Sequence, residues 1–300
     1  MLNPVRNGGV GIGIVKTSRG KRLTRSAAPS LTNEGKGKKH RFLRHGQDTE
    51  SGEIKGQRLS PSAGMGRRRP SVRGDERLTI AIDGPSGAGK STVARSLAKR
   101  LGYVYIDTGA MYRSLALRVK QKGIPPEDEL TLSQLAFSLP IHFVTGRGQT
   151  HVFCEGEDIT EAIRTPEISR LASFISKQKG VREALVQMQR KMGKEGGAVL
   201  EGRDIGTVVF PDADVKFYLD AQSDERARRR YDEMVEKGVK VDFKETREEL
   251  SQRDYDDMHR VHSPLKKAED AVFIDSTHRS VEEVVDEMVR VIEAKTTSHA

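Results

Sequence analysis

Nine consecutive residues, Gly84-Pro85-Ser86-Gly87-Ala88-Gly89-Lys90-Ser91-Thr92, satisfy the pattern G-x-x-x-x-G-K-[ST] at every fixed position. The pattern is short, so its flanks decide what it means. Before it stands the apolar run Leu78-Thr79-Ile80-Ala81-Ile82, of strand length. After it, Val93, Ala94, Leu97, Ala98 and Leu101 recur at helical spacing. Strand, glycine loop and helix in that order form a cradle for a triphosphate. Glycines let successive backbone N–H groups turn inward without a Cβ in the way, and the helix N-terminus adds partial positive charge. Lys90 is then placed to reach the outer phosphates and the Ser91 hydroxyl to ligate Mg²⁺. A glycine turn with a solvated lysine is the bland alternative, and it does not explain both flanks.

Charge divides the chain of 300 residues in two. Residues 1–77 hold 18 of the 52 basic residues and 6 of the 43 acidic ones, so the net charge of +9 belongs to that segment, while the remainder is slightly acidic. The leader is rich in Gly, Ser, Arg and Lys, with no periodic apolar stripe to offset the entropy of ordering it, and it reads as disordered. Three readings stand for it: polyanion binding, though Phe42 is its one aromatic residue; an organelle transit segment, against which its glycines and acids speak; or upstream sequence preceding a working start near Met65. A passive leader is the reading preferred here. No run of about 18 apolar residues predicts a membrane span. The single cysteine, Cys154, lies in an alternating strand-like segment, excludes an internal disulfide and suits a reducing cytoplasm.

From Leu78 onward the chain is long enough for one α/β domain with a modest insertion. Strand-like runs at 78–82, 103–106, 198–201, 215–219 and 271–275 alternate with helical patterns at 110–122, 223–236 and 280–294, the last opened by a Ser280/Glu283 capping box. That alternation predicts a mainly parallel five-stranded sheet with helices on both faces. Segments 141–144 and 151–154, joined by Thr145-Gly146-Arg147-Gly148-Gln149, read as a β-hairpin inserted as a lid or substrate-binding subdomain.

A triphosphate site does not say where the phosphate goes. No Asn-Lys-x-Asp segment signals guanine recognition. Arginines instead stand beside carboxylates in four clusters, around 107–113, 201–204, 226–230 and 253–260, where open parallel sheets place their ligands. Arg253, Asp257 and Arg260, spaced i, i+4 and i+7, are expected on one helical face. Alone, that trio would read as a solvated face of weak ion pairs.

Together the segments Ile80 through Ser91, Asp107-Thr108-Gly109-Ala110-Met111-Tyr112-Arg113, Glu155-Gly156-Glu157-Asp158-Ile159-Thr160, Gly202-Arg203-Asp204-Ile205-Gly206-Thr207-Val208-Val209-Phe210-Pro211-Asp212-Ala213 and Arg253-Asp254-x-x-Asp257-x-x-Arg260 closely resemble bacterial-type cytidylate kinases. The likeness runs from about 78 to 294; residues 1–77 match nothing in it. Glu201 departs from the family, which often has Asp there.

The resemblance implies a P-loop three-layer α/β fold over 78–300, a nucleoside monophosphate-binding insertion at about 135–180 and a helical lid at about 223–245. It implies transfer of a phosphoryl group from ATP, with Mg²⁺, to CMP or dCMP, by positioning and charge neutralisation without a covalent intermediate. By the same resemblance Lys90, Arg113, Arg203, Arg229 and Arg230 serve catalysis, the last two from the lid that also carries Arg226. Thr108, Tyr112, Arg113, Ser173, Arg182, Arg203, Asp204, Arg253, Asp257 and Arg260 bind the acceptor. Arg253 and Asp257 meet its ribose, and Ser173, Arg182 and Asp204 read cytosine. A cytoplasmic monomer acting on small molecules, with no membrane or nucleic-acid partner for the catalytic domain, is the accompanying expectation. Another P-loop small-molecule kinase and a nucleic-acid-dependent ATPase remain the alternatives.

Overall fold

A computed structural model of the chain describes residues 77–146 and 149–297. The readings of the basic leader and of a start at Met65 fall outside the described residues.

The expected sheet forms. Strands β1 (Thr79–Asp83), β2 (Val104–Asp107), β6 (Ala198–Gly202), β7 (Val215–Asp220) and β8 (Val272–Asp275) lie in the order β2-β6-β1-β7-β8, every neighbouring pair parallel. β1, which leads into the glycine loop, is central and buried along its whole length. Its side chains alternate between two cores. Ile80 and Ile82 pack with Val93 and Leu97 of α1 (Lys90–Leu101) and Val285 and Met288 of α8 (Val281–Thr297), whereas Ala81 turns to the opposite face with Val186, Leu200 and Ile205.

Local chemistry fixes the helix ends. α1 closes on Gly102 and α2 (Thr108–Lys122) on Gly123, both left-handed, where glycine avoids the Cβ clash. Asp107, at the tip of β2, caps α2 by accepting from the Ala110 N–H at 2.8 Å. Ser280 and Glu283 form the expected reciprocal box at the start of α8.

A third core belongs to the insertion. α2, α3 (Glu129–Ser138), α4 (Pro166–Ile175) and α5 (Lys179–Gly193) enclose Met111, Leu115, Leu132, Ile168 and Leu185, together with the inner side of an antiparallel sheet, β3 (Ile141–Gly146), β4 (Gln149–Cys154) and β5 (Glu157–Asp158). The hairpin pairs Ile141 with Cys154 through to Gly146 with Gln149, and its third strand had no signal in the sequence. Cys154 is fully buried. Arg118 of α2 secures this subdomain, donating to the Cys154 carbonyl and to Glu157, both at 2.8 Å.

α6 (Ser223–Glu236) and α7 (Phe243–His259) form a helical hairpin in which Tyr231 meets Phe243 edge-on. Among the described residues no helix is long and apolar enough to cross a membrane.

Candidate active site

The glycine loop, α2, α4, α5, the turn after β6, α7 and the turn after β8 line a single cleft of about 880 Å³. Its position at the carboxyl ends of β1, β2 and β6 follows from parallel strands: all chain turns on that edge lead from strand to helix, and their amides and side chains converge.

The loop's glycines are dictated by crowding. At Gly84 a Cβ would stand 1.9 Å from the Leu219 carbonyl oxygen, and Gly87, at φ 77°, would press one against the backbone of Arg226. Lys90 opens α1 and is buried; its ammonium donates to the Pro85 carbonyl at 2.6 Å. Burial first, then the positive charge of Arg203, pushes its pKa down to about 7. An anion placed beside it reverses that penalty. Ser91 stands beside Glu201, whose carboxylate accepts from the Tyr105 hydroxyl at 2.7 Å. Burial raises the Glu201 carboxyl, with the neighbouring Asp107 adding to the effect.

Facing the loop is a set of arginines. Arg203 donates through Nε to Asp257 at 2.8 Å and through Nη2 to the Ser86 hydroxyl at 2.6 Å. Arg113 is paired with Asp107 at 2.9 Å. Arg253 is half-buried, and loss of solvent around it, followed by the repulsion of Arg203, brings it down to about 10. Asp257 is the shared counter-ion: burial alone would raise its carboxyl, but Arg203, Arg253 and Arg260 together hold it below the ordinary range.

Deeper in the cleft, Arg182 of α5 donates to Asp204 and, at 3.2 Å, to the Ser176 carbonyl. The Tyr112 ring lies under the same guanidinium, 5.6 Å away. Arg260 Nη2 stands 3.7 Å from the other Asp204 oxygen. Thr108 and Ser173 complete the wall, Thr108 through a 2.7 Å bond to the Glu201 carbonyl. Several buried polar atoms around this space, the Tyr112 hydroxyl and the Nε atoms of Arg113, Arg182 and Arg253, have no hydrogen-bond partner among the described residues. Such groups are costly unless a ligand takes them up.

The site residues named from the sequence line this cleft, apart from Gly84 and Pro85 at the loop's entry and Arg226 behind it. Two placements differ from the sequence reading. Arg260 is not helical: it is the C-terminal cap of α7 in extended conformation, and it reaches the cleft because Nε is held by the Ser263 carbonyl at 2.7 Å. Arg226 is no free lid residue. It is buried and fastened to the Ala221 and Ser86 carbonyls and to Asp254, so the root of α6 is fixed. Arg229 points toward the β8–α8 turn, donating to the Ser276 carbonyl at 2.7 Å, while Arg230 pairs with Glu233 at 2.8 Å.

Sequence reasoning missed Asp83 and Asp254. Asp83, raised by burial to about 7, accepts from the Ile205 and Gly206 N–H groups at 2.8 and 2.7 Å and so pins the single π-helical turn that follows Arg203 and Asp204. Its signal was present, a charged residue ending an otherwise apolar strand. Asp254 differs from its neighbours in the charged run of α7 only in three dimensions.

The family model for cytidylate kinase matches residues 80–294. A cytidylate kinase from Geobacter sulfurreducens is 54% identical over 222 residues, which cover 74% of this chain and 95% of that protein. One from Bacillus subtilis is 47% identical over 221 residues, covering 74% and 99%, and one from Geobacter sp. strain M21 is 50% identical over 225 residues, covering 75% and 97%. With a glycine loop and an arginine-lined pocket sharing one cleft, and with this likeness spanning nearly the whole of each relative, the chain belongs to the cytidylate kinase family.

Proposed function

We propose that the protein transfers the γ-phosphoryl group of ATP to CMP and dCMP, giving ADP and CDP or dCDP. The observation that carries this reading is the joining, in one cleft, of the glycine loop with Lys90 to an acceptor wall of Arg113, Arg203, Arg253 and Arg260 that ends in the buried Asp204–Arg182 pair.

Phosphoryl transfer requires in-line placement and fixed charge rather than a covalent intermediate. The loop amides and Lys90 hold the donor phosphates. Arg113 and Arg203, each already oriented by a carboxylate, fork onto the acceptor phosphate, with Arg260 as a further clamp. Asp257 and Arg253 meet the ribose. Asp204 accepts from the exocyclic amine of cytosine while Arg182, Ser173 and the Tyr112 hydroxyl satisfy the rest of the base, with Thr108 beside them. A uracil carbonyl would confront the Asp204 carboxylate without a shared proton, a mismatch of about 1–3 kcal/mol or more. Arg229 and Arg230 serve closure over the donor, keeping water from the transferring group.

Mg²⁺ fits the donor set. Ser91 offers a hydroxyl beside the Glu201 carboxylate, whereas among the described residues no cluster of three acids, histidines or cysteines forms an all-protein cage. Magnesium ordinarily takes one or two protein oxygens, substrate phosphates and water. When bound it would neutralise charge on the phosphates.

The unpaired Cys154 suits a reducing cytoplasm. A coupled assay for ADP, run with CMP, dCMP, UMP, AMP or RNA as separate additions, tests the reading. CMP and dCMP are expected to stimulate ADP release far above the rest; if neither does, the reading is dropped.

A further inference from the structure

Three elements meet on one residue of the donor loop. The Ser86 N–H donates to Asp254 Oδ1 at 3.2 Å, its carbonyl accepts from Arg226 Nη1 at 2.9 Å, and its hydroxyl accepts from Arg203 Nη2 at 2.6 Å. Ser86, Arg226 and Asp254 are each less than a tenth exposed, so water competes little for these bonds. Asp254 and Asp257 are three residues apart on α7 and face the same way. The helix thus reaches the loop twice, through Asp254 to the Ser86 backbone, and through Asp257 and then Arg203 to the Ser86 hydroxyl.

The two contacts differ in kind. The backbone contacts set where the loop begins, next to Gly87, whose missing Cβ lets Arg226 approach. The hydroxyl contact joins the donor loop to an arginine of the acceptor wall. Arg203 has Nε and Nη2 committed to Asp257 and Ser86, and its Nη1 makes only the longer 3.4 Å bond to the Gly202 carbonyl, the contact most easily exchanged for an acceptor phosphate. A donor that draws the loop into one geometry fixes where the hydroxyl holds Arg203. An acceptor that engages Arg203 fixes the hydroxyl, and with it the loop.

We propose that the Ser86 hydroxyl is a positioning group that couples donor binding to acceptor binding, so that each nucleotide tightens the other's site through Arg203. The proposal rests on the functional reading above. Coupling between two sites is reciprocal, and typical values change affinity by about 5- to 150-fold.

The test is calorimetric titration of CMP into wild type, Ser86→Ala and Ser86→Thr, each with and without a saturating non-hydrolysable ATP analogue and Mg²⁺. In wild type the analogue is expected to tighten CMP at least about fivefold, and CMP to tighten the analogue by the same factor. In Ser86→Ala both ratios are expected to fall to within about twofold of one, whereas Ser86→Thr, which keeps the hydroxyl, keeps them. A ratio unchanged in Ser86→Ala overturns the proposal, as does weakened binding of the analogue alone, which would make the hydroxyl an ordinary phosphate ligand. Equal loss in both variants assigns the effect to packing and also overturns it. Failure of the wild type to bind CMP would overturn the functional reading and this proposal with it; CMP binding with coupling intact in Ser86→Ala overturns the proposal alone.

Discussion

Substitution of Asp204 separates base recognition from simple charge balance. Its carboxylate is about one-twentieth exposed and sits between two guanidiniums, Arg182 in hydrogen-bond contact and Arg260 at 3.7 Å. Asp204→Ala strands both cations, and breaking a buried pair of this kind costs about 3–5 kcal/mol. For a domain of this size each kcal/mol moves the melting temperature by about 2–4 °C, so the loss is roughly 6–20 °C. Asp204→Asn is the sharper probe. It preserves volume and one acceptor oxygen, and its amide can also turn an N–H toward a carbonyl, the group uracil presents where cytosine has its amine. Losing the charge-assisted bond to cytosine removes about 1–3 kcal/mol, so kcat/KM for CMP should drop by about 5- to 150-fold while UMP improves or holds, and the CMP/UMP ratio collapses toward one. Steady-state kinetics with both acceptors, on protein shown by thermal melting to be folded, reads this out. An unchanged ratio in a folded Asp204→Asn would reduce Asp204 to a counter-ion for Arg182 and place base selection elsewhere. Equal use of CMP and UMP by the wild type would refute the reasoning outright.

Lys90→Met should lower kcat by at least about a hundredfold, because a preorganised cation facing the transferring group is lost. Its ligand-free melting temperature should not fall, since the lysine is buried and repelled by Arg203; a drop of several degrees would contradict this placement. Lys90 also predicts linked protons. Its folded value of about 7 lies below the ordinary 10.5, so the unfolded chain holds the extra proton between those pH values, and this residue makes ligand-free stability rise with pH across that window. Above pH 7 Lys90 is then increasingly neutral, and binding of magnesium-free ATP should draw in a proton to it, an uptake that shrinks as the pH falls below 7. Calorimetry in buffers of differing ionisation enthalpy measures the uptake, and a count that does not vary with pH refutes the assignment. Removal of residues 1–64 should leave kcat and both KM values unchanged; a large loss would show that the leader takes part in catalysis.

The parts of this molecule legible in the sequence are those written in local pattern. The five parallel strands follow from apolar runs, α2 from its helical spacing, α8 from its capping box, and the phosphate loop from its glycine pattern and its flanks. The residues expected to bind the acceptor were named through family likeness, and they share the cleft. What escaped was set by contacts far apart along the chain. Arg226, Arg229 and Arg230 look alike in a basic helical run, yet one is bound to a loop 140 residues away, another to the turn after β8 and the third to its own helix. Arg260 reads as the next helical position after Asp257, but α7 has already ended. Asp83 and Asp254 matter because of which backbone amides lie opposite their carboxylates, and no periodicity encodes that.

The carboxylates of the cleft explain how so many cations can share it before any nucleotide arrives. Lys90 and Arg253 are both pushed down, to about 7 and about 10, by burial and by Arg203, so the ligand-free site carries unresolved repulsion. It holds because each acid is divided among several donors. Asp257 serves Arg203, Arg253 and Arg260; Asp204 serves Arg182 and Arg260; Asp254 serves Arg226 while holding the loop. None of these acids needs to touch a reacting atom to matter. By anchoring one edge of a guanidinium they leave the other edge aimed into the cleft, so the positive charge that phosphoryl transfer demands is placed in advance and does not have to be assembled during the reaction. Incoming phosphates would supply the missing negative charge, and the repulsion they relieve includes that between Lys90 and Arg203, the strongest charge effect on the lysine.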